Sequence, residues 1–471
     1  MTVEVLRLSN PQISKVKRRV TKHKEQLSLP IKICFPLLFV PVTNIVKYFP
    51  FLAVVLALLS CNKQETLVDA VYIDSLLSHH QPSQTAIINQ KDLEFWENRV
   101  HTLPENFVNL FKYASALAGR FHIYGDINDL QRADSIIQAL LVKFKEPGML
   151  LSLASYKMLR HQFQEAKKNI DAVVQMKAEK FAAQMMLFDA HFELGDEYHA
   201  SAILQQTRSP YDYSYNFRLS KFDHYKGNVD SSIKHMMKAA LLAHSNDYLR
   251  TAALSNAADL YVHECKISKA IGLYKECLQL NSCDFHSLMG LGWLALVHDS
   301  NDSLAKKIFM FAHSKWQSPD PLFKLAQANE LSDTATAKLW AMMFSQQADL
   351  PVYGNMYNKY LIQVYTSVLN RPEKALQIAK DEIKNRSTPQ TNAWLAWCLF
   401  LKGEKQEAYN VYQQWVSRRP LEALELYWMG KMMKGLDKAY TAKEFFKAAE
   451  KNKYDLTPAM RKELEQNLQT Q

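Results

Sequence analysis

Glycine is scarce in this chain, 12 among 471 residues, and from about residue 106 onward strand-like alternation is almost missing. A sheet-rich fold is thereby disfavoured, and the dominance of alanine, leucine, lysine, glutamine and glutamate points to helix. No Walker loop, G-x-S-x-G elbow or H-E-x-x-H helix occurs, so no pattern names a reaction and an enzyme is not expected. Nor is there a run of the ~20 apolar residues that a spanning helix needs. The block "CFPLLFVPV" is broken from "FLAVVLALL" by Pro41, Asn44 and Lys47. A surplus of one charge is missing from the body as well. The formal net charge is +10, but residues 1–61 hold nine Lys or Arg against two acidic residues, leaving 48 against 45 for the rest. A near-neutral body removes the main support for a nucleic-acid partner.

What is present begins at "LLSCNKQ", where the apolar block Phe51–Leu59 stops at Ser60 and Cys61 and turns polar at once. Leu58, Leu59, Ser60 and Cys61 resemble the lipobox of bacterial lipoproteins, which implies cleavage before Cys61 and a lipid on its thiol. The other reading is a plain apolar anchor with an incidental cysteine. A leader of ordinary proportions starts near Val46, so residues 1–45 read as a basic and apolar extension ahead of the true start, and 46–60 as the signal peptide. Residues 61–105 then supply a tether and an N-terminal helical cap, with "SLLSHHQPSQ" as a short helix and a turn around Pro82. Adjacent His79 and His80 lack partners at ligand spacing and are read as solvated.

The body repeats itself. In "ALSNAADLYVHECKISKAIGLYKECLQLNS", Leu254, Ala257, Ala258 and Tyr261 share one face of a first helix, and Ala270, Tyr274 and Cys277 one face of a second. The frame returns with Leu288, Leu291, Gly292, Ala295, Ala305, Phe309 and Ala312, then with Leu395, Ala396, Leu399, Gly403, Ala408, Tyr412, Trp415 and Pro420. It returns again with Leu426, Met429, Gly430, Met433, Ala442, Phe446 and Ala449. The small residue of the second helix recurs at Ala133, Ala166, Ala200, Ser232, Ala270, Ala305, Ala337, Ala375, Ala408 and Ala442. That is 309 residues over nine intervals, a mean period of about 34.

This pattern resembles the tetratricopeptide repeat (TPR), whose unit is two antiparallel helices in close contact. The resemblance implies an all-α, right-handed superhelical solenoid of about ten helix-turn-helix units over residues 106–456, closed by a C-terminal helical tail at 457–471. Gly195, Gly227 and Gly403 fall where paired helices turn, and Gly292 and Gly430 where they touch. "GLGWLA", Gly290 to Ala295, formally matches a dinucleotide fingerprint, but it lies within a repeat helix rather than after a strand.

Cys265, Cys277, Cys283, His263 and His286 suggest a zinc cluster on paper. Cys277 occupies a small core position, however, so the thiols read as compact hydrophobes, with a Cys277–Cys283 disulfide as the alternative. No metal and no cofactor is expected. Counting outward from the repeat frame puts Phe217, Met289, Trp293, Trp397, Phe400 and Tyr427 on the concave surface. They are either a groove for a protein or peptide partner, or core covered by an inserted neighbouring element or by tight winding.

Three classes of function remain. The first is a lipid-anchored scaffold of the bacterial envelope, binding proteins in its groove and fitting the repeat lipoproteins of Bacteroidota-like bacteria. Asn62 and Lys63 after Cys61 are compatible with outer-membrane sorting in a Gram-negative cell. The second is a glycan-capturing lipoprotein similar to the SusD family, which needs a large non-repeat region that the array leaves no room for. The third is a cytosolic adaptor, whose carboxylate clamp is poorly matched by Ser255, Asp259 and Gly290. The first reading is preferred, with no small-molecule substrate expected.

Overall fold

Short polar residues start many of the helices. Asn106, Asp126, Asn246, Asn301 and Asp333 each accept a backbone N–H from the first turn of the helix that follows. The computed structural model describes residues 66–469, so the leader, the lipobox and Cys61 lie outside the described residues.

Helices α1 (Ala70–Ser78) and α2 (Gln84–Thr102) precede the repeats. The first hairpin pairs α3 (Phe107–Tyr124) with α4 (Ile127–Lys143), and the second α5 (Pro147–Leu159) with α6 (Phe163–Gln175). The third and fourth are α7 (Lys180–Glu193) with α8 (Glu197–Gln206), and α9 (Tyr213–Tyr225) with α10 (Val229–Leu242). Then come α11 (Asp247–His263) with α12 (Ile267–Leu280), and α13 (Phe285–Val297) with α14 (Asp302–Lys315). The seventh and eighth are α15 (Asp320–Asn329) with α16 (Thr334–Ala348), and α17 (Asn358–Thr366) with α18 (Pro372–Asn385). The ninth pairs α19 (Pro389–Leu401) with α20 (Lys405–Val411), which runs on as a π turn to Val416. The tenth pairs α21 (Ala423–Gly435) with α22 (Ala439–Lys451), and α23 (Pro458–Gln469) follows. The described residues thus form an all-α solenoid of ten hairpins. None of their helices is long and apolar enough to cross a membrane.

The ten small positions of the repeat are the tightest points in the stack: every one is 0–1% exposed. They let the paired helices approach, and a large ring fills the space beside them. A Cβ added at Gly430 would lie 2.6 Å from the ring of Phe446, and one at Gly292 would lie 2.5 Å from Phe309. Nine hairpins turn through a residue with φ between +48° and +86°, which is glycine at 125, 195, 227 and 403.

The superhelix closes on itself. Gln317 N donates to Tyr124 O (2.7 Å) and Asn355 N to Arg160 O (3.0 Å), tying the first and second hairpins to the junctions before the seventh and eighth. Further ties join residues 192 to 194 positions apart. Between five and six repeats therefore complete one turn, and the largest apolar core unites Tyr113 and Phe163 with Tyr357 and Trp394.

Of the tether and helical cap expected over 61–105, the part from Leu67 onward is docked on the repeats. The buried carboxylate of Asp299 accepts from Leu67 N and Val68 N (2.8 Å to the latter), Lys307 pairs with Asp74 (2.6 Å), and Ile73 is fully buried. Leu67, Val68 and Ile73 give this segment an apolar face that the sixth hairpin covers.

If the small positions set the helix approach, Gly430→Ala should cost about 1–3 kcal/mol by overpacking. Gly272→Ala, on α12 with no atom within 4 Å of the added carbon, should gain about 0.5–1 kcal/mol. Denaturant midpoints of the two variants test this, and equal shifts would defeat it.

Candidate functional site

Closure of the superhelix places the inward ends of several first helices around one cavity of about 480 Å³. Its rim at the third hairpin is a buried charge network. Glu193, at the end of α7, pairs with Arg386 (3.0 Å) and Lys221 (3.4 Å), and Arg386 also binds Glu382 (2.7 Å). Asn358 completes Glu382 with a 2.7 Å hydrogen bond. Burial, reinforced by Arg386, pushes the nearby His161 down to about 3, so this imidazole is neutral and adds no further cation.

Deeper in, Lys359 binds Glu425 (3.0 Å), which also accepts from Trp394 Nε1 (2.7 Å). Burial works against the Lys359 ammonium, but Glu425 and Glu422 hold its pKa above the ordinary value. The second oxygen of Glu425 and the amide oxygen of Gln327 are buried without a partner. Asp259 accepts from His286 (2.9 Å) and Tyr274 (2.5 Å).

Lys324 differs from its neighbours. Its Nζ sits 3.5 Å over the centre of the Trp293 ring, and among the described residues it has no ion-pair partner. Burial pushes its pKa down to about 8, partly offset by Asp320 and other distant carboxylates. A cation held over an aromatic face, in a cavity whose lining also includes unpartnered acceptors, is a place for an anion that also carries N–H or O–H donors.

At the far wall, His224 and His263 end α9 and α11, and Glu422 stands immediately before α21. Their ligand atoms lie within 4.8 Å of one another. Burial holds His224 below its ordinary pKa, whereas for His263 the bond to Asp455 (2.7 Å) overrides burial and raises it.

The six concave-surface residues do not form one open groove. Phe217, Met289, Trp397 and Tyr427 are only 3–7% exposed. Trp397 stacks between Phe400 and Trp428, Phe400 lies against Gly435, and Tyr427 donates to Glu463 of α23 (2.5 Å). Phe217, Met289, Trp397 and Tyr427 are therefore interior, Tyr427 under the closing helix. Trp293 alone among the six borders the cavity. The cysteine cluster is likewise dispersed. Cys265, Cys277, Cys283 and Cys398 are free thiols, Cys283 accepting from Ser83 N and His286 turning to Asp259. His79 bonds Ser75 O and His80 packs on Phe285 and Phe311.

Sequence reasoning missed Lys324, Lys359, Arg386 and the His224–His263–Glu422 cluster. A signal existed for Lys324, a charge inside the apolar run Leu322 to Ala326.

No family model matches the sequence, and no curated protein matches it. Among solved structures, the chain is similar to the human IFIT1 dimer with m7Gppp-AAAA, at 13% identity and a TM-score of 0.44, over 69% of this chain and 76% of that one. It is similar to the APC/C heterotetramer Cut9–Hcn1 at 13% identity and 0.45, over 90% and 74%. A tetratricopeptide repeat protein from Parabacteroides merdae matches at 17% identity and 0.28, over 62% and 100%.

The Lys324 geometry has a thermodynamic signature. Its pKa falls from 10.5 to about 8 on folding, so between those values the unfolded chain binds more protons and stability rises with pH. The cost is fully present below pH 8 and gone above 10.5. Lys324→Met should therefore melt roughly 2–4 °C higher than the parent at pH 7. The gap should close as pH approaches 10.5, as thermal scans across this range would reveal.

Proposed function

We propose that the protein is a non-enzymatic scaffold, anchored by lipid at Cys61 in a Gram-negative cell envelope, that takes a short acidic segment of a partner protein into its central cavity. The observation that carries this reading is the unpaired Lys324 ammonium over Trp293, in a cavity also lined by Gln327 and Glu425, each with a partnerless oxygen. A peptide segment brings a carboxylate for the first and backbone N–H groups for the others. The cavity volume lies within the range of about 300–1,000 Å³ usual for small-ligand sites. A neutral glycan would supply donors but leave Lys324 without a counter-charge, which favours the peptide over the sugar. The lipobox resemblance at Leu58 to Cys61 supports the envelope location, and Asn62 and Lys63 are compatible with outer-membrane sorting.

Two measurements on the full-length protein test the two halves. Expressed in a Gram-negative host, the parent should take up labelled lipid and fractionate with membranes, and Cys61→Ala should do neither; a soluble, unlabelled parent removes the anchor. In solution, fluorescent acidic peptides should bind with an affinity that falls as pH rises through 8, because Lys324 then loses its proton. Lys324→Met should weaken them at least about tenfold, the scale of a lost charged hydrogen bond. Binding of neutral oligosaccharides that is indifferent to Lys324 would sink the peptide reading.

A further inference from the structure

We propose that His224, His263 and Glu422 form a three-ligand site for a divalent first-row transition ion of the zinc kind, clasping two successive turns of the superhelix. Two imidazoles and one carboxylate are the donor set of open zinc sites, in which the fourth position is left to water or an incoming ligand. Their ligand atoms already lie within 4.8 Å of one another, close enough for one ion to be held by all three. The rings stand nearly perpendicular, 82° apart with centroids at 4.9 Å, which keeps them from stacking flat and closing the space between them.

Each donor is prepared in a different way. His263 gives Nδ1 to Asp455 Oδ2 at 2.7 Å, and this leaves Nε2 for the metal in the carboxylate–histidine–metal arrangement that fixes the tautomer. Asp455 is itself brought in from beyond α22, where Asn452 also binds His263 O at 2.9 Å. Glu422 occupies the N-cap position of α21 but makes no cap bond, so its carboxylate is not committed to the helix it precedes. The His224 ring makes no hydrogen bond among the described residues and packs edge-on against His263, so its nitrogens are uncommitted.

The location gives the site an opening. The three residues line both the central cavity and a second hollow bounded by Gly227, Pro420 and Asn452, so the fourth position is reached from either side. Since His224 and His263 end the first helices of the fourth and fifth hairpins while Glu422 precedes the tenth, a bound ion crosslinks the two turns. The other cluster of similar composition, His191, Asp196 and His199, is a different object. There both Nδ1 atoms already bond one oxygen of Asp196, at 2.9 and 2.7 Å, while its second oxygen caps α8.

The test uses the full-length protein, stripped with chelator and titrated with Zn²⁺ by calorimetry, with Co²⁺ absorption reporting coordination. The parent should bind one equivalent at this site, with a rise in melting temperature. His224→Ala and Glu422→Gln should each lose it, and Asp455→Asn, acting as a positioning residue, should weaken it about 10–100-fold. His191→Ala/His199→Ala should leave it unchanged. Should His224→Ala fail to fold by circular dichroism, Glu422→Gln decides, since no cap bond is lost there. Absence of zinc uptake by the parent, unchanged uptake in Glu422→Gln, or loss in the His191/His199 variant instead would each overturn the site.

Discussion

Everything in this molecule depends on how closely two helices can approach at one small residue per hairpin. Ten such positions are sealed from solvent, and each fixes the separation and crossing of its pair. Because each hairpin repeats the same geometry, small rotations accumulate in register, and the chain returns to its own beginning after fewer than six units. The seam between turns, the shared apolar core and the enclosed cavity all follow from that return.

The local half of this was legible in the sequence. Period, helix pairing and the small positions are properties of neighbours along the chain, and Ala133 through Ala442 stand where the repeat frame puts them. The global half was not, because it is set by rotations of a few degrees per unit that no single residue encodes. Trp397 and Tyr427 illustrate the gap: their spacing places them on the inner surface, but whether that surface meets water depends on Trp428 and Glu463. The same holds for His224 and Glu422, almost two hundred positions apart and joined only by closure. Lys324 was within reach, since a charge in an apolar helical run asks for an explanation even without a structure.

The cavity concentrates charge where a repeat array would ordinarily place core. Glu193, Arg386 and Glu382 satisfy one another and rivet the seam, so their burial is offset by mutual hydrogen bonds. Lys324 is not compensated in this way. A folded chain that retains an uncompensated cation and unsatisfied acceptors in the lining of one cavity gives up stability there, a pattern typical of sites shaped for something other than folding.

The docking of residues 66–83 bears on how the body would respond to load. The chain enters the solenoid at the sixth hairpin, where Asp299 holds two backbone N–H groups, and only then reaches the first. A pull applied at Thr66 is therefore delivered near the middle of the stack, as shear across the Asp299 and Asp74 contacts, and the terminal hairpin is not peeled. Until those contacts break, the array behaves under tension as a body gripped at its waist, and its first repeats stay mechanically shielded.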